Sequence, residues 1–271
     1  MKITDKLAHL KNELSKYERV AVAFSGGVDS TLLLHLTAQI VGHKNVIAIT
    51  GFSDVFFESD LSFIKEYTKQ NKIKLAIVKT NQLADKKFTS NGRYRCYYCR
   101  KLFFDEIKKA ALKFKAKVLF DGLNQDDLHD YRPGRKAAEE AGIISPFVAA
   151  SITKDEIRTL AKSEGIAVWG KPSSPCAATR IAYNIEITKD RLDRIKILEQ
   201  MLKNIGFLQV RLRDHGDIAR IEVPKKEISK LINHKEFDKI VSEIRSKGFH
   251  WVTVDAGGFE SGSMNRSIKN K

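Results

Sequence analysis

The chain has little of what marks a secreted or membrane protein. Its 271 residues include only three cysteines, an odd number and too few for a disulfide framework, which points instead to metal binding or catalysis. No apolar run reaches the roughly eighteen residues a membrane span needs. The opening stretch Met1-Lys2-Ile3-Thr4-Asp5-Lys6 has no apolar signal core, so a cytoplasmic protein is expected, with no membrane partner. Acidic residues are also short in supply: 33 Asp and Glu stand against 48 Lys and Arg, a net charge of +15. Such a surplus invites nucleic acid as a partner. It is spread along the whole chain, however, and lysines such as Lys108, Lys109, Lys113, Lys115 and Lys117 fall among helical apolar residues, where they solvate a surface.

A Walker phosphate loop is missing too. The nearest match to G-x-x-x-x-G-K-[ST] is Gly165 to Lys171, and it fails because Pro172 stands where the hydroxyl should be. What is present lies from Arg19 to Leu34: an apolar strand pattern, then Ser25-Gly26-Gly27-Val28-Asp29-Ser30, then an apolar helix-forming run. Two glycines allow a sharp turn and close approach to a ligand. The start of the following helix presents donors and a positive dipole end, which together favour an anion. The bland alternative is a Gly-Gly turn with a Ser/Asp cap. SGGVDS after a first strand resembles the pyrophosphate loop of the ATP pyrophosphatases. The resemblance implies ATP as cofactor, with Ser25, Gly26, Gly27, Asp29 and Ser30 around its β and γ phosphates and Asp29 helping to hold Mg2+.

At this length one large domain plus a smaller one is expected. Lys6 to Tyr17 reads as an amphipathic helix with Leu7, Leu10 and Leu14 on one face. Strands are expected at Asn45 to Thr50, Lys74 to Val78 and Val118 to Phe120, alternating with helices at Glu58 to Asn71 and Leu102 to Phe114. That alternation predicts an α/β fold with a doubly wound parallel sheet, ligands sitting at the carboxyl ends of the strands. Ser25 to Ser30 and Asp121-Gly122 both fall at such ends. The segments Asp121 to Asp127 and Asp130 to Arg135 read as polar loop. Ser151 to Glu164 reads as a helix capped by Thr153, with Glu156 completing a capping box.

The loop Lys171 to Arg180, stiffened by Pro172 and Pro175, marks the expected boundary between a domain at 1–180 and a smaller α+β domain at 181–271. Thr188 to Ile205 carries a helical stripe of Leu192, Ile195, Leu198 and Leu202, and Gly206 ends it. Leu208 to Arg213 and Ile218 to Val223 predict a hairpin around Asp214-His215-Gly216-Asp217. Lys225 to Lys247 is helical with a break near Asn233-His234, and Trp251 to Asp255 is a closing strand. This order suggests a small antiparallel sheet. Alternation places Arg211 and Arg213 on one sheet face, where two guanidiniums suit a phosphate or form a solvated charged surface.

Cys96 and Cys99 form a C-x-x-C set between the third strand and its helix, and Cys176 lies in the later proline loop. Three readings stay open: structural zinc, which needs a fourth ligand such as His129; a redox pair, which leaves Cys176 unused; and a cluster with three cysteine ligands and one open iron. Arg95, Arg100 and Lys101 beside the pair would favour thiolates.

Beyond the pyrophosphate loop, the DGLNQDD and DYRPGRKA segments, Ser-Pro-Cys176 with Thr179-Arg180, the run VRLR with DIARIE, and the terminal DAGGFESGSMN make the chain resemble the LarE family over essentially its whole length. The resemblance implies an ATP-dependent sulfurtransferase. Members adenylate a carboxylate of a pyridinium dicarboxylate mononucleotide and replace its oxygen by sulfur, toward the nickel-pincer nucleotide of lactate racemase. It further implies that Arg180, Arg211 and Arg213 bind the substrate phosphate and that Lys101 stabilises charge at the reacting carboxylate. Cys176 either gives up its own sulfur or joins Cys96 and Cys99 on a 4Fe-4S cluster that carries sulfide; the C-x-x-C pair favours the cluster, as in three-cysteine tRNA thiolases. Where relatives often read Ser-Arg-Ile-Pro-Tyr-Gly, this chain reads Thr179-Arg180-Ile181-Ala182-Tyr183-Asn184. A homo-oligomer is expected. A tRNA thiolase, an amidating ligase of the same superfamily and a non-catalytic nucleotide-binding module are the competing readings.

Overall fold

The computed structural model describes residues 2–128, 133–172 and 175–269. Its first half runs α1 (Ile3–Ser15), β1 (Val20–Ala23), α2 (Val28–Val41), β2 (Val46–Phe52), α3 (Glu58–Gln70), β3 (Lys74–Lys79), α4 (Lys86–Thr89), α5 (Arg95–Lys113) and β4 (Val118–Phe120). Then follow α6 (Pro133–Glu140), α7 (Pro146–Ala149), α8 (Lys154–Ser163) and α9 (Lys189–Asn204). The last part holds β5 (Arg211–Asp214), β6 (Ile218–Glu222), α10 (Ile228–Ile232), α11 (Phe237–Ser246), β7 (Trp251–Val254) and α12 (Arg266–Lys269). Two compact units result: Met1–Ser53, Glu58–Thr80 and Cys96–Ser174 form the first, and Asp54–Phe57, Asn81–Arg95 and Pro175–Lys271 the second. No helix among the described residues is long and apolar enough to cross a membrane.

The first unit is the expected doubly wound sheet. Its strands are all parallel in the order β3-β2-β1-β4. Alternate strand residues serve two cores, as a sheet covered on both faces requires. Val20, Val22, Val46, Ala48 and Phe120 pack with Leu10 and Leu14 of α1, the leucines of α2, Ile64 of α3 and Ile157 of α8. Ala21, Ile47, Ile49 and Leu119 pack on the other face with Phe104, Ile107 and Ala111 of α5 and Ala137 and Ala138 of α6. Because β2 and β3 lie to one side of β1 and β4 to the other, the winding reverses between β1 and β4. The crevice at their carboxyl ends is where such folds bind ligands.

In the second unit α9 buries Leu192, Ile195, Leu198 and Leu202, the stripe read from the sequence. β5 and β6 form the predicted hairpin, with Arg211 opposite Glu222 and Arg213 opposite Arg220. β7 pairs parallel to β6, so the sheet is mixed rather than antiparallel. The reason is the connection: α10 and α11 carry the chain back before β7 begins, as a parallel crossover requires.

Candidate active-site residues

β1 delivers the chain into the loop, and the amide of Phe24 still donates to the carbonyl of Ile49 at 2.9 Å. Gly26 then adopts φ +73°, with the side chains of Ile64 and Phe63 only 3.1 and 3.2 Å from where a Cβ would stand. A residue with a side chain would be strained there by both its backbone and its neighbours. Gly27 caps α2 with no side-chain hydrogen bond. The hydroxyls of Ser25 and Ser30 lie 3.0 Å apart, the amide of Ser25 donates to Ser30 Oγ at 3.2 Å, and Ser30 Oγ donates to the carbonyl of Gly27 at 3.2 Å. The five residues expected to hold a pyrophosphate thus form one turn on the N-terminus of α2.

Across the switch point, Asp121-Gly122 follows β4. A Cβ on Gly122 would lie 3.0 Å from the amide nitrogen of Ser30 and 3.2 Å from Asp29 Cβ. Glycine suits this turn, because a side chain would press on the backbone at Asp29 and Ser30. Beyond it, Asp121, Asn124 and Asp127 are buried, so the segment read as polar loop is not a solvated surface loop. Asn124 Nδ2 donates to Asp29 Oδ1 at 3.3 Å. The other carboxylate oxygen of Asp29 is ion-paired with Lys154, a residue the sequence reading left unremarked. Lys154 is the first residue of α8, whose Thr153–Glu156 capping box is present as expected. Its amide donates to Asp126 Oδ2 at 2.7 Å, and Lys6 holds Glu156 at 2.9 Å. The signal for Lys154 was in the sequence, one position after a well-marked cap, but its partner is 125 residues away.

Cys96 and Cys99 are half-buried thiols, not joined in a disulfide. They lie within the first turns of α5, not ahead of it, because the helix starts at Arg95 rather than Leu102. The arginines expected to favour their thiolates are directed elsewhere. Arg95 is buried, donates to Asn91 Oδ1 and the carbonyl of Ile181, and stacks on Tyr183 at 4.3 Å. Arg100 sits 3.7 Å from Asp121 Oδ2, a buried oxygen with no hydrogen-bond partner among the described residues. Lys101 is exposed. Among the described residues no three His, Cys, Asp or Glu side chains are grouped as metal ligands. His129, Asp130, Tyr131 and Arg132 of the DYRPGRKA segment, and Ser173 and Ser174 of the proline loop, lie outside the described residues.

The second unit contains the other expected site residues, and there the structure departs from the reading of a solvated face. Every residue of β5 is buried. Arg213 forks onto Glu222 through Nε at 2.9 Å and Nη2 at 2.7 Å, and donates to the carbonyl of Thr179 at 3.2 Å. Glu222 also receives Ser263 and Arg220 at 3.0 and 3.1 Å. Arg211 donates to the carbonyl of Val210 and lies 5.4 Å from the ring of Phe259. Burial, and then the neighbouring Arg180, push its guanidinium down to about 10, which leaves it charged at neutral pH. Arg180 is fully buried and forks onto Glu199 at 2.9 and 3.1 Å. With no exposed surface it does not fit the expected contact with a substrate phosphate. Cys176 is a half-buried thiol outside any disulfide.

The loop after Arg180 is anchored from Asn91. Asn91, in the left-handed region at φ +56°, donates through Nδ2 to the carbonyls of Ala182 and Ile185, each at 2.8 Å. No sequence pattern pointed to Asn91 or Arg95 as the anchors.

Comparison with known proteins matches the PP-loop domain over residues 1–131. The chain is 35% identical over 266 residues to the uncharacterized protein slr1717 of Synechocystis sp., covering 98% of this chain and 99% of that one. It is 33% identical over 266 residues to the pyridinium-3,5-bisthiocarboxylic acid mononucleotide synthase of Lactiplantibacillus plantarum, covering 98% and 96%. It is also 34% identical over 254 residues to the uncharacterized protein MJ0830 of Methanocaldococcus jannaschii, covering 92% and 95%.

Proposed function

We propose, for a chain that belongs to the LarE family of PP-loop proteins, an ATP-using sulfurtransferase activity that converts a carboxylate of a pyridinium dicarboxylate mononucleotide to a thiocarboxylate. The observation that carries the reading is the 33% identity to the mononucleotide synthase across 96% of its length. The match spans both units, whereas the PP-loop domain alone ends at residue 131. We place the reaction in the cytoplasm.

The carboxylate attacks the α-phosphorus of ATP, pyrophosphate leaves, and sulfur then displaces AMP from the adenylated carbonyl. Ser25 to Ser30 and the start of α2 receive the leaving pyrophosphate, stabilising charge as it develops. Mg2+ suits the Asp29 carboxylate, a hard oxygen ligand, and would neutralise the triphosphate. Lys154 supplies a cation at the same place from α8. Asp29 is thereby held from two sides, by Asn124 and Lys154. Arg211 and Arg213 are the proposed contacts for the phosphate of the substrate nucleotide. In support, Arg211 and Arg213 stand two residues apart on β5, a spacing at which two guanidiniums suit a phosphate. Lys101 remains a proposed stabiliser of the reacting carboxylate, supported by its position on the helix of Cys96 and Cys99. For the sulfur we propose a 4Fe-4S cluster on Cys96, Cys99 and Cys176, which when bound would offer an open iron to sulfide. Two thiols three residues apart on one helix support it.

The test is direct. Purified protein with ATP, Mg2+, sulfide and pyridinium-3,5-dicarboxylic acid mononucleotide is expected to release AMP and pyrophosphate together and to yield a product in which sulfur has replaced oxygen. Thiolation of unmodified tRNA under the same conditions, with the mononucleotide left unchanged, would overturn the reading in favour of a tRNA thiolase.

A further inference from the structure

The buried guanidinium of Arg180 has work to do within its own unit. We infer that Arg180, fixed by Glu199, is a positioning residue that sets where Cys176 stands; the inference rests on the reading of Cys176 as a sulfur-bearing residue. Cys176 caps the short turn Ala177–Arg180. Its carbonyl oxygen accepts from the amide of Thr179 at 3.0 Å, the hydroxyl of Thr179 at 2.7 Å and Nη1 of Arg180 at 3.2 Å. The same Nη1 donates to the carbonyl of Pro175 and to Thr179 Oγ1 at 3.1 Å. One guanidinium nitrogen therefore ties the main chain at Cys176 and at the residue before it.

The guanidinium is itself immobilised. Its Nε and Nη2 engage both oxygens of Glu199, and neither side chain has any exposed surface. Glu199 Oε1 also accepts the amide of Leu212 at 3.0 Å, which fixes the carboxylate to β5. The ring of Phe57 lies 5.1 Å from the guanidinium carbon. Leu212, Glu199, Arg180 and Cys176 thus form one chain of hydrogen bonds from a core strand to the reactive loop. A buried ion pair kept for stability alone is often replaceable by apolar residues. This one spends its remaining edge on loop carbonyls, a geometry that suits a planar fork and not the point charge of a lysine.

The test uses two variants of the full chain. Arg180→Lys keeps the charge opposite Glu199 and loses the fork. Thr179→Val leaves the ion pair intact and removes the hydroxyl between Arg180 and the Cys176 carbonyl, so it decides the matter if Arg180→Lys does not fold. Iodoacetamide labelling of Cys176 is followed by peptide mass spectrometry, with Cys96 and Cys99 as internal controls. Both variants are expected to label Cys176 about fivefold faster, as local opening becomes easier, while the controls keep their rates. In the thiolation assay, kcat should fall on the order of tenfold to a hundredfold at nearly constant KM, the mark of a misplaced reacting group. Wild-type labelling in both variants overturns the inference. So does a raised KM for the mononucleotide with kcat unchanged, which would return Arg180 to the substrate phosphate. Faster labelling with thiolation undisturbed, both here and in Cys176→Ser, leaves the positioning role standing and overturns the use of Cys176 in sulfur transfer.

Discussion

Lys154→Met is the change that best separates holding a fold from holding a phosphate. The ion pair with Asp29 is partly exposed, at 31% and 23% of the two side chains, so solvent screens it and it stabilises the fold by about 0.2–1 kcal/mol. A loss of that size moves the thermal midpoint by no more than about 4 °C in a unit of this size. Methionine keeps most of the aliphatic stem and leaves the Thr153–Glu156 cap untouched. Pyrophosphate release should respond differently. A charge-assisted contact to the leaving phosphates is worth about 1.5–3 kcal/mol, which becomes a loss of about 10- to 160-fold in kcat/KM. The assay is substrate-dependent pyrophosphate release at saturating Mg2+, beside a thermal melt of each protein. A folded Lys154→Met variant with wild-type pyrophosphate release would refute the reasoning and reduce Lys154 to a surface partner of Asp29.

Gly122→Ala places a Cβ 3.0 Å from the amide nitrogen of Ser30, so it should displace the phosphate loop and abolish pyrophosphate release while a circular dichroism spectrum stays near wild type; retained ATP-dependent activity would show that the turn yields. Arg211→Ala should weaken mononucleotide binding by about 1.5–3 kcal/mol and leave ATP binding unchanged by calorimetry; equal damage to both would move Arg211 out of the substrate site. His215 is held below its usual pKa by burial and then by Arg220, so the unfolded chain takes up the proton first as pH falls below about 6.5. Stability should therefore drop from there downward, and His215→Gln should flatten the thermal midpoint between pH 7 and pH 5; an unaltered slope would assign the pH dependence to other groups.

The fold was legible because its signals are local. Hydrophobic runs bounded by turns placed β1, β2, β3 and β4, and the Thr153–Glu156 box marked the start of α8 to the residue. The site was legible only in part. Ser25 to Ser30 announce themselves by type and order, whereas Lys154, Asn91 and Arg95 act through partners that only the fold brings near. The burial of the β5 arginines was not legible, for a physical reason. Alternation predicts which face a side chain occupies but not whether that face is wet, and buried carboxylates such as Glu199 and Glu222 look like surface residues in a helix or strand pattern. The mixed sheet was missed likewise, since strand direction depends on how α10 and α11 return the chain.

The sulfur source gives the last prediction, and the cysteines decide it. Sacrifice uses Cys176 alone, allows one turnover, and leaves Cys96 and Cys99 idle. A cluster uses all three thiols and permits repeated turnover from added sulfide. The structure withdraws one argument for the cluster, since Arg95 and Arg100 are engaged away from the thiols, and retains another, since Cys96 and Cys99 stand three residues apart on one helix. The reading therefore depends on the cysteines themselves. Anaerobic reconstitution with iron and sulfide is expected to yield about four irons per chain and a broad sulfur-to-iron absorbance. Cys96→Ala, Cys99→Ala and Cys176→Ala should each lose that iron and absorbance, a readout that does not depend on activity. If the protein takes up no iron, Cys96→Ala keeps full activity, and mass spectrometry after one turnover shows Cys176 lighter by hydrogen sulfide, the cluster falls and Cys176 is the donor.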